Sequence, residues 1–420
     1  MSPAAFSSEW SQLERNTVLF RNPQNSDRRF LPLLLEDCQI PPTIRRFSFV
    51  DWRQESDDAL ARLIQACQPP PSAGNATWPI DLSQIAPPGG AILHDDPFYI
   101  ERVADAEVVA AARRPAGTLI IKAPRQMGKS SLLKRYLAEC QQVNKTTVLL
   151  DFSLLAREDL ADYATFLTRL ARIMWRRLGT SPQAVSPRID SQADMIDFIE
   201  DTILTVVPGE IVFAFDEADK LLGCDYQADF FAMLRYWHER RTDTPPSVWT
   251  RAALALVIST EPYLLINDVL RSPFNVTPPL ELSAFNQEEC HELNRRYGSC
   301  LPDREVTQLM ELVGGHPYLV RLAYYHLTRQ SQVAFATLVR DAAERFGPFG
   351  LHLRAMERKL MEESGQSLFT AMRQMVRDGT VPSRDMVDRL HGAGLVHEDQ
   401  GVIVPANDLY RAIREIDNVR

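Results

Sequence analysis

The apolar run Thr118-Leu-Ile-Ile-Lys122, followed directly by Ala-Pro-Arg-Gln-Met-Gly-Lys-Ser-Ser over residues 123–131 and then by Leu132-Leu-Lys-Arg-Tyr-Leu137, leaves this chain few ways to fold. It spells a strand, a tight turn and a helix. A turn that feeds a helix N-terminus points successive backbone N–H groups at one spot, where the helix dipole also favours negative charge. The stretch fits the phosphate-loop pattern G-x-x-x-x-G-K-[ST] except at its first position, where Ala123 stands for glycine. Alanine there adds one methyl group and forbids the positive φ values open to glycine. In such a loop Pro124, Arg125, Gln126, Met127, Gly128, Lys129, Ser130 and Ser131 surround the phosphates of ATP. Lys129 reaches the β- and γ-phosphates and Ser130 ligates Mg²⁺.

About ninety residues downstream, Ile211-Val-Phe-Ala-Phe-Asp216-Glu217 is a continuous apolar run that ends in two carboxylates. A run of this kind reads as a parallel strand buried on both faces, with its acids at the C-terminal tip. Ligands of open α/β sheets bind at that edge. Asp216 is placed to hold Mg²⁺ through water, and Glu217 to orient or deprotonate an attacking water.

Composition narrows the class without choosing the function. The 420 residues suffice for two or three domains with sizeable cores, and 45% hydrophobic with 24% charged residues is the balance of a globular protein. No run of eighteen apolar residues occurs and no signal sequence opens the chain, so a cytoplasmic, non-membrane protein is expected. Six cysteines without a C-x-x-C pair read as reduced thiols. A net charge of −9 argues against a general polyanion-binding surface.

Organisation follows from punctuation and periodicity. Residues 68–94, with six prolines and the Gly89-Gly90 pair, read as a linker. Ahead of it, strands are expected at 30–35 and 47–50, with helices over 8–17 and 57–67. Behind it, strands are expected near 118–123, 147–152, 211–216, 254–260 and 279–283, alternating with helices, which predicts a parallel sheet covered on both faces. Residues 286–345 turn helical, broken by Gly314-Gly315-His316-Pro317. The last seventy residues read as two helices and a hairpin (394–397 with 401–404), the pattern of a winged helix.

Six stretches in order carry a family likeness: Phe98-Tyr-Ile-Glu-Arg102-Val-Ala-Asp105, the loop itself, Phe213-Ala-Phe-Asp-Glu217, Asp229-Phe-Phe231 with Leu234-Arg235, Ser272-Pro-Phe-Asn275, and Gly314-Gly-His-Pro317. Together they resemble the AAA-like domain of bacterial conflict and signalling ATPases, relatives of the STAND class of P-loop switch NTPases. The resemblance implies a sheet order of fifth, first, fourth, third, second. It also implies that Arg102 and its apolar neighbours lie near the adenine, that Pro317 closes over it from a helical lid, and that Ser259, with Thr260, watches the γ-phosphate. Residues 1–67 resemble the C-terminal half of a flavodoxin-like TIR domain, through Phe30-Leu-Pro-Leu-Leu-Leu35, Asp51-Trp-Arg53 and Trp10-x-x-x-Glu14. The strands that complete that family's nucleotide pocket precede the matched part, so NAD cleavage is not expected of this segment.

The domain reading is therefore a partial TIR domain over 1–67, a linker over 68–94, an ATPase core over 95–285, a helical lid over 286–345 and a winged helix over 346–420. The function it points to is a nucleotide-operated signalling switch, slow in hydrolysis, coupled to a TIR effector and engaging protein partners or its own copies. The alternative is a DNA-binding ATPase of the origin-recognition type. Ten Lys/Arg against eleven Asp/Glu over 351–420 give no basic footprint for it, so nucleic acid is not an expected partner.

Overall fold

The computed structural model describes residues 33–38, 50–53, 85–179, 188–243, 247–259, 277–329, 334–364, 366–399 and 401–411. The chain divides into two compact units, 1–80 and 81–420. In the first, two short strands, β1 (Leu33–Leu34) and β2 (Val50–Asp51), pair in parallel, with Leu33 opposite Val50. The Trp52 N–H extends the pairing to the Leu34 carbonyl at 2.8 Å, and Arg53 forms an ion pair with Asp37. These are the parts of the two expected N-terminal strands that fall within the described residues. The flanking helices, with Trp10 and Glu14, fall outside them.

The second unit is built on a five-stranded parallel sheet. Its strands are β3 (Thr118–Lys122), β4 (Thr146–Asp151), β5 (Ile211–Asp216), β6 (Ala252–Ile258) and β7 (Leu280–Glu281). Their order across the sheet is β4-β5-β6-β3-β7, the expected order, with β6 between the strand that ends at the loop and the strand that ends at Asp216. Because side chains alternate along a strand, each strand feeds two cores. One face carries Ile120, Phe213, Phe215, Leu254 and Leu256, packed with the helices α3 (Tyr163–Arg177), α4 (Gln192–Asp197) and α5 (Gln227–Glu239). The other carries smaller groups, Val212, Ala214, Ala253 and Ala255, against α1 (Val103–Ala112) and α2 (Lys129–Gln142). Alanines and valine bring α2 close to the sheet, and the loop that starts α2 is set directly above the strand tips.

Four helices follow: α6 (Gln287–Arg296), α7 (Asp303–Val313), α8 (Pro317–Arg329) and α9 (Phe335–Arg340). The break between α7 and α8 has a steric cause. Gly314 and Gly315 both take positive φ (60° and 66°), and a Cβ on Gly315 would sit 2.2 Å from the Phe285 carbonyl oxygen. Only glycine fits there. The C-terminal part comprises α10 (Gly350–Ser364), α11 (Gln366–Asp378), α12 (Arg384–Gly392), an antiparallel hairpin of β8 (Val396–Asp399) and β9 (Val402–Pro405), and the short α13 (Asp408–Arg411). Among the described residues, no helix is long and apolar enough to cross a membrane.

Candidate nucleotide site

The loop between β3 and α2 turns on two left-handed residues. Gln126 has φ 61° and Gly128, the N-cap of α2, has φ 94°. No side chain caps this helix, so the first-turn N–H groups are left for a ligand at its positive end. Lys129 is 6% exposed, and its Nζ donates to the Pro124 carbonyl at 2.8 Å, folding the cation back over the loop. Burial pulls its pKa down to about 8, against the opposing pull of Asp219, Glu217 and Asp216. A buried amine flanked by three carboxylates is poised to trade its carbonyl partner for a polyphosphate.

The carboxylates stand on the tip of β5. Asp216 is buried and hydrogen-bonded to the Ser130 side chain; burial nonetheless raises its pKa. Glu217 is left-handed (φ 56°), an uncommon conformation for a non-glycine residue, and its N–H donates to Asp216 Oδ1 at 3.0 Å. Burial, then the neighbouring Asp219, raises the Glu217 pKa as well. Asp219 in turn accepts the backbone N–H of Ser259 at 3.1 Å, joining the tip of β6 to the acidic turn.

A cavity of about 260 Å³ lies over the loop. Gln126, Met127, Gly128, Lys129, Ser130, Ser131, Glu217, Arg102 and Pro317 all line it, so these sequence-selected residues share one site. Its apolar wall is supplied by Phe98, Tyr99, Ile100, Phe285 and Leu293. Arg102 Nη1 donates to the carbonyls of Met127 (2.9 Å) and Ser283 (3.2 Å), and its guanidinium leaves no space at Gly128, where a Cβ would meet Nη2 at 2.9 Å. Pro124 and Ser259 instead line a second cavity, of about 510 Å³, between the loop and the C-terminal hairpin. The Ser259 hydroxyl is buried without a partner. Arg125 contributes its carbonyl, which accepts from His316 Nε2 at 3.2 Å. Thr260 is outside the described residues.

Sequence reasoning missed several residues. Pro88 to Ile92, whose composition reads as linker, line the first cavity. The Ile92 N–H donates to Ser131 Oγ at 3.0 Å, and Arg329 of α8 donates to the Ile85 carbonyl at 3.0 Å. Tyr318 and Arg321 also line the cavity. Arg321 lies four positions after Pro317 on the same helix, hence on the same face, a spacing that was readable. His352, whose Nδ1 lies 2.8 Å from Gln126 Oε1, had no sequence signal, since 226 residues separate the pair.

The donor set fits a nucleotide with Mg²⁺: an uncapped helix end, a buried lysine, a serine hydroxyl beside a carboxylate, and an apolar wall. Among the described residues no group of three or more His, Cys, Asp or Glu is placed to hold a metal ion.

Comparison with known proteins agrees. A family model described as AAA-like domain matches residues 87–413, and the chain belongs to that family; residues 1–86 lie outside the match. An uncharacterized WD repeat-containing protein of Synechocystis is 26% identical over 359 residues, which cover 77% of this chain and 29% of that protein. The match thus spans less than a third of that curated relative's length. Among solved structures, a Walker-type ATPase of Pyrococcus abyssi superposes with a TM-score of 0.57 at 18% identity, covering 80% of this chain and 100% of the other. A STAND protein of Pyrococcus horikoshii with a tetratricopeptide repeat sensor gives 0.36 at 14% identity, covering 76% and 42%.

Proposed function

We propose that this AAA-like chain is an ATP-binding switch whose slow hydrolysis sets the state of the helices and hairpin that follow the core. The observation that carries this reading is the shared cavity: the uncapped start of α2, Lys129, Ser130 and Glu217 meet there with residues of the helical region, Pro317, Tyr318 and Arg321. A ligand held by both parts differs in affinity between their arrangements, which is the physical requirement for a switch.

In this mechanism the backbone N–H groups of 126–130 and the Lys129 ammonium hold the phosphates. Ser130 and Asp216, already hydrogen-bonded to each other, are the residues that would hold Mg²⁺, Asp216 through water. The metal, when bound, neutralises charge developing on the phosphate oxygens. Glu217 orients the attacking water and accepts its proton, a task for which a carboxylate pKa raised by burial is suited. Phe98, Ile100 and Leu293 keep water from the base, and Arg321, 5.3 Å over the Phe98 ring, brings a cation from α8 to the same cavity. Arg235 is ion-paired with Glu239 at 2.8 Å, and Arg271 lies outside the described residues.

Two further readings belong to this proposal. Helices α11 and α12 with the β8–β9 hairpin are a winged helix, and residues 1–67 are TIR-like, as in effectors of bacterial defence and signalling. The experiment that tests the central reading is calorimetry with ATP and Mg²⁺ on the full chain and on Lys129→Ala. Equal affinity for the two would overturn it.

A further inference from the structure

We infer that His352 and Tyr410 are positioning residues for the nucleotide loop: from the C-terminal part of the chain they hold Gln126 in the left-handed conformation that curls the loop's N–H groups inward. This inference rests on the reading of the loop as the nucleotide site.

Left-handed backbone at Gln126 and again at Gly128 is what curls the loop. Glycine adopts that conformation freely, whereas a glutamine resists it through its Cβ. Such a residue persists only where its surroundings over-determine it. The surroundings here are specific. His352 of α10 is 5% exposed, and its Nδ1 lies 2.8 Å from Gln126 Oε1. Its Nε2 lies 3.0 Å from the hydroxyl of Tyr410, which is fully buried and stacked on the imidazole with centroids 5.8 Å apart. One neutral tautomer satisfies both contacts: Tyr410 donates to Nε2, and Nδ1–H donates to Gln126. Tyr410 is anchored in its turn, because its N–H donates to Asn407 Oδ1 at 3.0 Å while Asn407 Nδ2 donates to the Val313 carbonyl at 3.3 Å. The chain of contacts therefore runs from the end of α7 through α13 and α10 to the loop. An ordinary buried histidine bonds to its own neighbourhood; this one reaches a loop side chain that lines the nucleotide cavity.

The test is a double-mutant cycle on the full chain, read as ATP affinity with Mg²⁺. His352→Ala and Tyr410→Phe are each expected to weaken ATP binding about three- to tenfold when Gln126 is present. Combined with Gln126→Gly, the same two substitutions are expected to change affinity by less than about twofold, because glycine does not need the support. His352→Asn, which keeps a donor near the Nδ1 position, restores most of the affinity. Losses of equal size with and without Gln126→Gly, or unchanged affinity in both single variants, overturn the inference. A native chain that binds no ATP overturns the reading of the loop itself. Should His352→Ala fail to fold, Tyr410→Phe, which removes one oxygen atom, decides the matter alone.

Discussion

Lys129 is the residue at which burial and binding are most directly linked. Desolvation draws the pKa of its amine down to about 8, so above that pH the binding of a phosphate ligand that restores its charge takes up a proton from solution. ATP affinity is therefore expected to be flat below pH 8 and to fall above it, by up to about tenfold per pH unit, with proton uptake visible in calorimetry run in buffers of different ionisation enthalpy. Lys129→Ala should cost more than about a hundredfold in affinity and abolish that pH dependence. Glu217→Gln should leave affinity within a fewfold of native while lowering turnover by about two to four orders of magnitude, measured as phosphate release. At this scale the placement of the candidate residues was legible because they lie in contiguous runs: 123–131 forms the turn from β3 into α2, and 211–217 forms β5 and its acidic tip. Asp219, two residues beyond Glu217, was not legible. Its contact with the Ser259 backbone depends on strand order, and only the assembled sheet brings the two together.

Secondary-structure elements divide by how their burial is written. Strands buried on both faces are unbroken apolar runs, so the core strands fell close to their expected places. The segment 85–92 was misleading for the same reason. Proline and glycine denote a linker by composition, yet here they build an irregular strap held by hydrogen bonds to Arg329 and Ser131. The turn before β8 shows how tightly the C-terminal part fits the loop. Gly394 has φ 76°, and a Cβ there would lie 2.5 Å from Pro124 Cβ. Gly394→Ala is expected to destabilise the fold by at least about 1 kcal/mol, from backbone strain and from the displaced proline, seen as a lowered midpoint in denaturant at unchanged slope. An unchanged midpoint would mean that the hairpin yields freely, and that it does not fix Pro124.

For the 81–420 unit as a whole, two buried histidines predict how acid acts. Burial lowers His316 to about 3 and His352 to about 4, both well under their value in an unfolded chain, so the unfolded state takes up protons first as pH falls. Their contribution to stability is complete above about pH 6.5 and is lost on acidification, at roughly 1 kcal/mol per pH unit for each, until pH about 4 for His352 and about 3 for His316. Denaturation followed between pH 7 and 5 should show a slope that shrinks in His352→Gln, compared with native at each pH. A slope of unchanged size would mean that the ring is already solvated. What no sequence pattern carries is this long-range registration: α10 meets the loop through His352, backed by Tyr410 of α13 and, through Asn407, by the end of α7, and nothing periodic marks these side chains.

The strap made by residues 85–92 sets a timetable as well as a wall. Fastened to α8 by Arg329 at one end and to α2 by Ser131 at the other, it forms part of the cavity wall. On the proposed nucleotide reading, entry and departure past the strap are expected to wait on the unhooking of these tethers. Substitutions that loosen them, such as Arg329→Ala, are expected to quicken association and release together while moving the equilibrium constant little. Stopped-flow mixing with a fluorescent ATP analogue reads both rates. That outcome would make the lifetime of the bound state, more than its depth, the quantity the strap governs.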